Sequence, residues 1–127
     1  MYPKDKFLYK YETYMLIGIA MEIHNILGKG FLEIVYKDAF EHELKRRNIS
    51  YTREKEYQIQ YKEIVLPHLF YADFVIDDKI ILEIKSNGGI IEQHTAQVLN
   101  YLAISKLRVG LIINFHESSL QQKRIIL

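Results

Sequence analysis

Leu69-Phe70-Tyr71-Ala72-Asp73-Phe74-Val75-Ile76 and Ile80-Ile81-Leu82-Glu83-Ile84-Lys85, joined by Asp77-Asp78-Lys79, read as two antiparallel strands around a short loop. A loop centred on Asp78 sets Asp73 opposite Glu83. Side chains alternate between the faces of a sheet, so Ala72, Phe74 and Ile76 should share one face with Ile80, Leu82 and Ile84. The other face then carries Tyr71, Asp73 and Val75 with Ile81, Glu83 and Lys85. Opposed residues stand about 5 Å apart between Cβ atoms, and like charges so placed weaken a sheet. Val75 and Ile81 mark that face as at least half buried, which sharpens the conflict.

Two arrangements relieve it. A divalent cation accepts both carboxylates as hard oxygen ligands. Such an ion also lowers the pKa of a bound water and stabilises charge on a phosphoryl oxygen. Lys85 would then orient that water or offset the developing negative charge. The other arrangement is a plain salt bridge from Lys85 to Glu83 or Asp73 on a solvated face. An isolated Asp…Glu-x-Lys pattern does not choose between them.

Around this hairpin, apolar residues Leu16, Ile19, Ala20, Ile23 and Leu27 recur at helical spacing from about Tyr9 to Leu27. Gly28-Lys29-Gly30 should stop that helix, glycine being suited to the left-handed cap. A second helix is expected from about Phe31 to Arg47, with a stripe of Leu32, Val35, Tyr36, Ala39, Phe40 and Leu44 and with Lys45-Arg46-Arg47 in its last turn. Lys55 to Tyr61 alternates as a strand, Lys62-Glu63 turns, and Ile64-Val65-Leu66 returns until Pro67 ends it. After the hairpin, Asn87-Gly88-Gly89 breaks the chain, and a third helix is expected from Ile91 to about Lys106. Arg108 to Phe115 and Lys123 to Leu127 close the series as strands. The order α-α-β-β-β-β-α-β-β describes a mixed α/β domain in which a helix crosses over between strands.

A length of 127 residues suits a single domain over residues 1–127, and 49% hydrophobic with 26% charged residues is an ordinary globular balance. No run approaches the roughly 20 apolar residues of a bilayer span, so no membrane partner is expected. Met1-Tyr2-Pro3-Lys4-Asp5-Lys6 lacks the apolar core of a signal peptide. With no cysteine there is no disulfide and no thiolate zinc site. A cytoplasmic location is the expectation, and any metal must be held by oxygen or imidazole. The net charge of +1 means that a nucleic-acid partner would need a local basic patch.

Two helices carry further candidates. Glu33 falls in the first turn of the second helix and shares a face with Tyr36 and Lys37, although a glutamate there also suits the helix dipole. Gln97 and Tyr101 share a face of the third helix, with His94 a turn earlier. Together Gln97 and Tyr101 would hold a phosphate or a water. They also suit a helix surface and a core edge, as His94 suits an ordinary polar position.

Glu33, Asp73, Glu83-Ile84-Lys85 and Gln97-Val98-Leu99-Asn100-Tyr101 stand in the order seen in RecB-like members of the PD-(D/E)XK nuclease superfamily, which the chain resembles. Gly30-Phe31-Leu32-Glu33-Ile34-Val35-Tyr36 also resembles the signature of the small GxxExxY proteins of that superfamily. Asn25-Ile26-Leu27-Gly28, Tyr71-Ala72-Asp73-Phe74-Val75 and Gly110-Leu111-Ile112-Ile113-Asn114-Phe115 extend the likeness over about residues 12 to 126. Ala72 stands where the superfamily's naming proline would be, an absence common among its members.

The resemblance implies a restriction-endonuclease-like core, a mixed sheet flanked by helices. It implies Asp73, Glu83 and the Ile84 carbonyl as ligands of Mg²⁺, with Mn²⁺ as a substitute, and Glu33 completing the acidic cluster. Lys85 would be the water-orienting or charge-stabilising base, and Gln97 and Tyr101 would lie beside the metal and the scissile phosphate. The expected partner is nucleic acid, DNA ahead of RNA, with Lys29, Lys37, Lys45, Arg46, Arg47 and His94 as backbone contacts. A small catalytic domain would bind weakly alone, so a homodimer or a partner protein is expected. Two other functions stay open: a non-catalytic nucleic-acid-binding or assembly module, and an oligomeric domain that uses its 10 tyrosines for protein contacts.

Overall fold

The structure is a computed structural model that describes residues 8–90 and 92–127. Helices α1 (Lys10–Leu27) and α2 (Glu33–Arg46) precede strands β1 (Tyr51–Tyr61), β2 (Ile64–Ile76) and β3 (Ile80–Lys85). Helix α3 (Glu92–Ser105) leads to β4 (Val109–Asn114) and β5 (Gln121–Ile126). The strands form one sheet in the order β1-β2-β3-β4-β5, with β3 and β4 parallel and every other pair antiparallel. A parallel pair needs a crossover, and α3 supplies it. This is a mixed α/β fold, a five-stranded mixed sheet flanked by helices, consistent with the restriction-endonuclease-like core expected from the sequence. No helix among the described residues is long and apolar enough to cross a membrane.

Each face of the sheet has its own core. On one, Leu16, Ile19, Ala20 and Ile23 of α1 and Tyr36, Phe40 and Leu44 of α2 meet Phe74, Ile76, Leu82, Ile84, Leu111 and Ile113. On the other, Val98, Tyr101 and Leu102 of α3 meet Val75, Ile81, Ile112 and Ile125. Leu16, Ile19, Ala20 and Ile23 on α1 and Tyr36, Phe40 and Leu44 on α2 thus bury as their periodicity predicts, whereas Leu32 does not: α2 begins at Glu33 and leaves Leu32 exposed in the extended conformation just before it.

Pro67 does not end a strand. Residues 64–76 run as one strand, so three strands rather than four precede α3. The reason is a register shift: Gln58 pairs with Leu69 and Gln60 with Val65, which leaves Leu66-Pro67-His68 opposite Ile59. Such an irregularity accepts a residue with no amide hydrogen to donate. The first strand also begins earlier than its alternation suggested, at Tyr51 rather than Lys55. Of the third helix, Ile91 lies outside the described residues, and the helix runs from Glu92.

Two contacts fix where the helices sit. Tyr36 stacks on Phe115 with ring centroids 4.3 Å apart, and its hydroxyl donates to the Gly28 carbonyl at 2.7 Å and accepts from the Phe31 amide at 3.3 Å. The loop between α1 and α2 is thereby pinned to the core, and Glu33 enters its helix at a defined place. Opposite, a Cβ added to Gly110 would come within 2.3 Å of Val98 Cγ1. A β-branched valine cannot swing away cheaply, so α3 can approach β4 this closely only over glycine.

Gly110→Ala should therefore push α3 outward. Overpacking of this kind costs about 1–3 kcal/mol. Urea denaturation of the variant should show a lower midpoint with an unchanged slope; equal midpoints would mean that α3 is not seated through this contact.

Candidate active site at the strand fork

The β2–β3 register is the one that the hairpin implies: Ile76 pairs with Ile80, Val75 with Ile81 and Phe74 with Leu82. The next step would pair Asp73 with Glu83, and there the ladder ends. Two backbone amides at this level donate to side-chain carboxylates and not to ladder carbonyls. Glu83 Oε2 accepts the Asp73 amide at 2.6 Å, and Asp73 Oδ2 accepts the Ile84 amide at 2.8 Å. The β1–β2 ladder also lacks a pair at this level, passing from Arg53–Phe74 to Lys55–Ala72, with Glu54 between them at a left-handed φ of 53°. Beyond this interruption Ala72 packs with the α3-side cluster, not with Phe74 and Ile76 as strict alternation predicted.

The fork opens a strand edge. The N–H and C=O of one strand residue point to the same side, so the Ile84 carbonyl faces the gap into which its amide points. The Lys85 carbonyl points the other way and accepts the Phe115 amide at 2.9 Å.

Four carboxylates and two ammoniums meet around this gap. Glu83 is 2% exposed and Asp73 8%. Burial, and then the charge of Asp73, hold the Glu83 carboxyl well above its ordinary range. Glu33, in the first turn of α2, is raised by burial and by Asp73, and it feels Lys85, Lys37 and Glu54 in turn. Lys37 is buried, with its ammonium 3.0 Å from Asp73 Oδ1 and hydrogen-bonded to Glu54. Burial would lower its pKa, but the hydrogen bonds to Glu54 and Asp73 outweigh that and raise it. Counted with every carboxyl ionised, Glu33, Glu54, Asp73 and Glu83 against Lys37 and Lys85 leave a formal surplus of two negative charges, the amount that one divalent cation cancels; without a cation, burial and mutual repulsion push Glu33 and Glu83 toward protonation instead.

A second group of side chains closes the gap from α3. Lys85 Nζ donates to Gln97 Oε1 at 3.1 Å, Gln97 Nε2 donates to the Tyr101 hydroxyl at 3.3 Å, and that hydroxyl donates to the Tyr71 carbonyl at 2.9 Å. Burial, with Glu83 and Asp73 nearby, pushes the Tyr101 phenol up to about 12, so it stays a neutral donor. His94 is held below its ordinary range by burial and then by the charge of Lys85.

Sequence candidates from three elements thus converge: Glu33 from α2, Asp73, Glu83, Ile84 and Lys85 from the hairpin, and His94, Gln97 and Tyr101 from α3. Lys37, expected as a backbone contact, is turned inward onto carboxylates because it lies one turn after Glu33 on the same helical face. Lys45, Arg46 and Arg47 lie at the other end of α2, roughly 20 Å from Glu33 at helical rise. There Arg47 bonds Glu22 at 2.8 Å and Glu43 at 3.4 Å, and Arg46 approaches Glu43 at 3.8 Å. Lys29 is exposed in the loop before α2.

Glu54 and Asn114 were not anticipated. Asn114 is fully buried, pairs in register with Lys85, donates to the Asn87 carbonyl at 2.8 Å and accepts from the His116 amide at 3.0 Å. It braces the chain just after Lys85.

Among the described residues, no three His, Asp or Glu side chains converge closely enough to cage an ion alone. A divalent ion held here would therefore take its remaining oxygens from the backbone, water and substrate. The donors on offer are the Asp73 and Glu83 carboxylates and the Ile84 carbonyl, beside a matching surplus of negative charge. The residues present fit such an ion.

A family model described as the PD-(D/E)XK nuclease superfamily matches residues 10–125. No curated protein matches the chain. Among solved structures, the crystal structure of SSO0001 is similar with a TM-score of 0.58 and 23% identity, over 93% of this chain. The chain spans 59% of the length of that protein, and the likeness concerns the fold.

The raised Glu83 carboxyl makes a stability prediction for the metal-free protein. Above about 4.5 the unfolded chain has released this proton while the native state still holds it. The stability linked to this group is complete below that pH and is lost as pH rises through the raised native value. Glu83→Gln keeps an acceptor for the Asp73 amide and cannot ionise. In chelator, its urea stability relative to wild type should increase between pH 5 and pH 8; a constant difference would show that Glu83 titrates normally.

Proposed function

The chain belongs to the PD-(D/E)XK nuclease superfamily, and from that premise we propose that it is a Mg²⁺-dependent nuclease hydrolysing DNA phosphodiester bonds with an activated water. Members of this superfamily usually use divalent ions and act on nucleic acid; Mg²⁺ and DNA are our choice within that range. We place the chain among the small GxxExxY proteins, on Gly30, Glu33 and Tyr36. Tyr36 would explain the third of these as a tether for the loop that delivers Glu33.

The observation that carries the reading is the Lys85–Gln97–Tyr101 chain set against the buried Asp73–Glu83 pair. Asp73, Glu83 and the Ile84 carbonyl would hold the ion, with Glu33 at its outer edge. When bound, the ion supplies a water of lowered pKa and an electrophile for the phosphoryl oxygen. Lys85 Nζ, held at one side by Gln97 Oε1, keeps further N–H groups to direct at the attacking water or at the oxygen gaining negative charge. Gln97 fixes the lysine and shares its amide with Tyr101. The neutral Tyr101 hydroxyl, anchored on the Tyr71 carbonyl, locks that glutamine. Lys29, four residues before Glu33, and His94, three before Gln97, are the proposed nearby backbone contacts, and Lys45, Arg46 and Arg47 are the distant ones. A cytoplasmic setting remains part of this reading.

One observation favours the alternative, a non-catalytic nucleic-acid-binding or assembly module. Arg46 and Arg47 are engaged by Glu43 and Glu22, which leaves less positive charge for phosphates.

The two readings separate in a plasmid and single-strand cleavage assay with Mg²⁺ or Mn²⁺. Cleavage should appear with the ion and vanish with chelator. Lys85→Ala should lower the rate by about 10²–10³-fold, the usual loss for a group that stabilises developing charge. Gln97→Ala should cost less. Unchanged cleavage in Lys85→Ala or Asp73→Asn would refute the mechanism, and binding without cleavage under all conditions would leave the alternative.

A further inference from the structure

Lys37 has a place in this centre that the hydrolytic scheme does not use. Its side chain is 10% exposed, and its ammonium lies between Asp73 Oδ1 and Glu54 Oε1. A lysine buried this far is tolerated when carboxylates pair with it. The chain provides both partners from β-strands, one of them at a residue whose backbone adopts a left-handed φ. Asp73 is therefore shared: Oδ2 takes the Ile84 amide and Oδ1 takes Lys37.

We propose that Lys37 is the second cation of the centre, bridging Asp73 and Glu54 in the role of a second metal ion, so that the site takes a single divalent cation. The inference rests on the metal-dependent reading above and specifies the stoichiometry of that site. Charge supports it. With Lys37 in place and all four carboxyls ionised, as a bound divalent ion would favour, one such ion brings the four carboxylates and two ammoniums to formal neutrality. A second divalent ion would leave a net positive centre and would have to displace a buried ammonium from two carboxylates. Geometry supports it as well, because the ammonium sits on the Asp73 oxygen that does not bond the Ile84 amide, and it reaches Glu54 across the β1–β2 pair. Neither α3 nor Lys85 contributes to that bridge.

The test counts ions without substrate. Mn²⁺ is titrated into the full chain, and bound ion is measured by the loss of the free Mn²⁺ resonance. Wild type should bind one Mn²⁺ per chain. Lys37→Met, which keeps the length and removes the charge, should bind a second Mn²⁺ about tenfold or more weakly, a gap of about 1.4 kcal/mol or more. That second ion should disappear in Lys37→Met/Glu54→Gln. Two ions in wild type would overturn the proposal while leaving a metal centre in place. No ion in wild type would overturn the metal-dependent reading and this proposal with it. A folded Lys37→Met that binds only one ion would overturn the role of Lys37. If that variant does not fold, the wild-type count still decides, and Lys37→Arg, which retains the charge, should keep a count of one; two ions there would also overturn it.

Discussion

Asp73 occupies a position where two backbone ladders are interrupted. Its amide is taken by Glu83 Oε2 and its Oδ2 by the Ile84 amide, so the side chains of an acidic pair replace the hydrogen bonds of the sheet. Each such bond contributes on the order of 0.5–1.5 kcal/mol, more where the acceptor is ionised, and a buried amide left unpaired would cost about 1–3 kcal/mol. The carboxylates are therefore structural members of the strand fork before they are ligands or catalysts. Once they serve the backbone, their positions are set by the sheet and not by their own rotamers. Apolar layers on both faces then hold the fork in a dry setting, where like charges are hardest to keep together.

That setting explains the rest of the cluster. Glu33 and Glu83 are both pushed toward their protonated forms by burial and by Asp73. Lys37 and Lys85 relieve this only in part, one from each side: Lys37 from α2 through Asp73 and Glu54, Lys85 from β3 through Gln97 and α3. The Tyr36–Phe115 stack and the Gly110–Val98 contact act at a distance from these charges, yet they determine how near α2 and α3 come. Packing on the two faces thus controls the electrostatics at the edge between them.

The hairpin was readable because two independent signals agreed, the period-two pattern of Ile and Val and the polar triplet Asp77-Asp78-Lys79. Asp77 and Asp78 adopt left-handed φ values of 53° and 54°, and Lys79 donates to the Ile76 carbonyl at 2.9 Å, which fixes the register. Glu33, Gln97 and Tyr101 were suggested by helical spacing but brought together only by a family resemblance, since no local pattern says which helix faces which strand. Glu54 and Lys37 escaped for a related reason. Their pairing joins a helix to a strand at a residue that leaves the extended conformation, and strict alternation hides that kind of departure. Alternation also misplaced Ala72, one residue from the same break. Pro67 misled in the opposite sense, because a proline ends a strand in a regular ladder but not opposite a bulge. Asn114 needed the parallel β3–β4 register, which belongs to the fold and not to either strand.

On the proposed reading, the acidic surplus has a further consequence for substrate. A phosphodiester brought to the metal-free fork would meet uncancelled carboxylates, and the whole-chain charge of +1 offers little long-range attraction. With one divalent ion in place the centre becomes formally neutral, and what remains to act on a phosphate is local. The first turn of α2 brings Glu33 to the cluster, and the first turn of α3 carries His94, which feels the charge of Lys85. Metal and phosphate would then favour each other's binding by the same free energy, because linkage between two sites is reciprocal. A chain with so little net charge would gain its hold on a polyanion at the centre itself, with the basic end of α2 extending the contact.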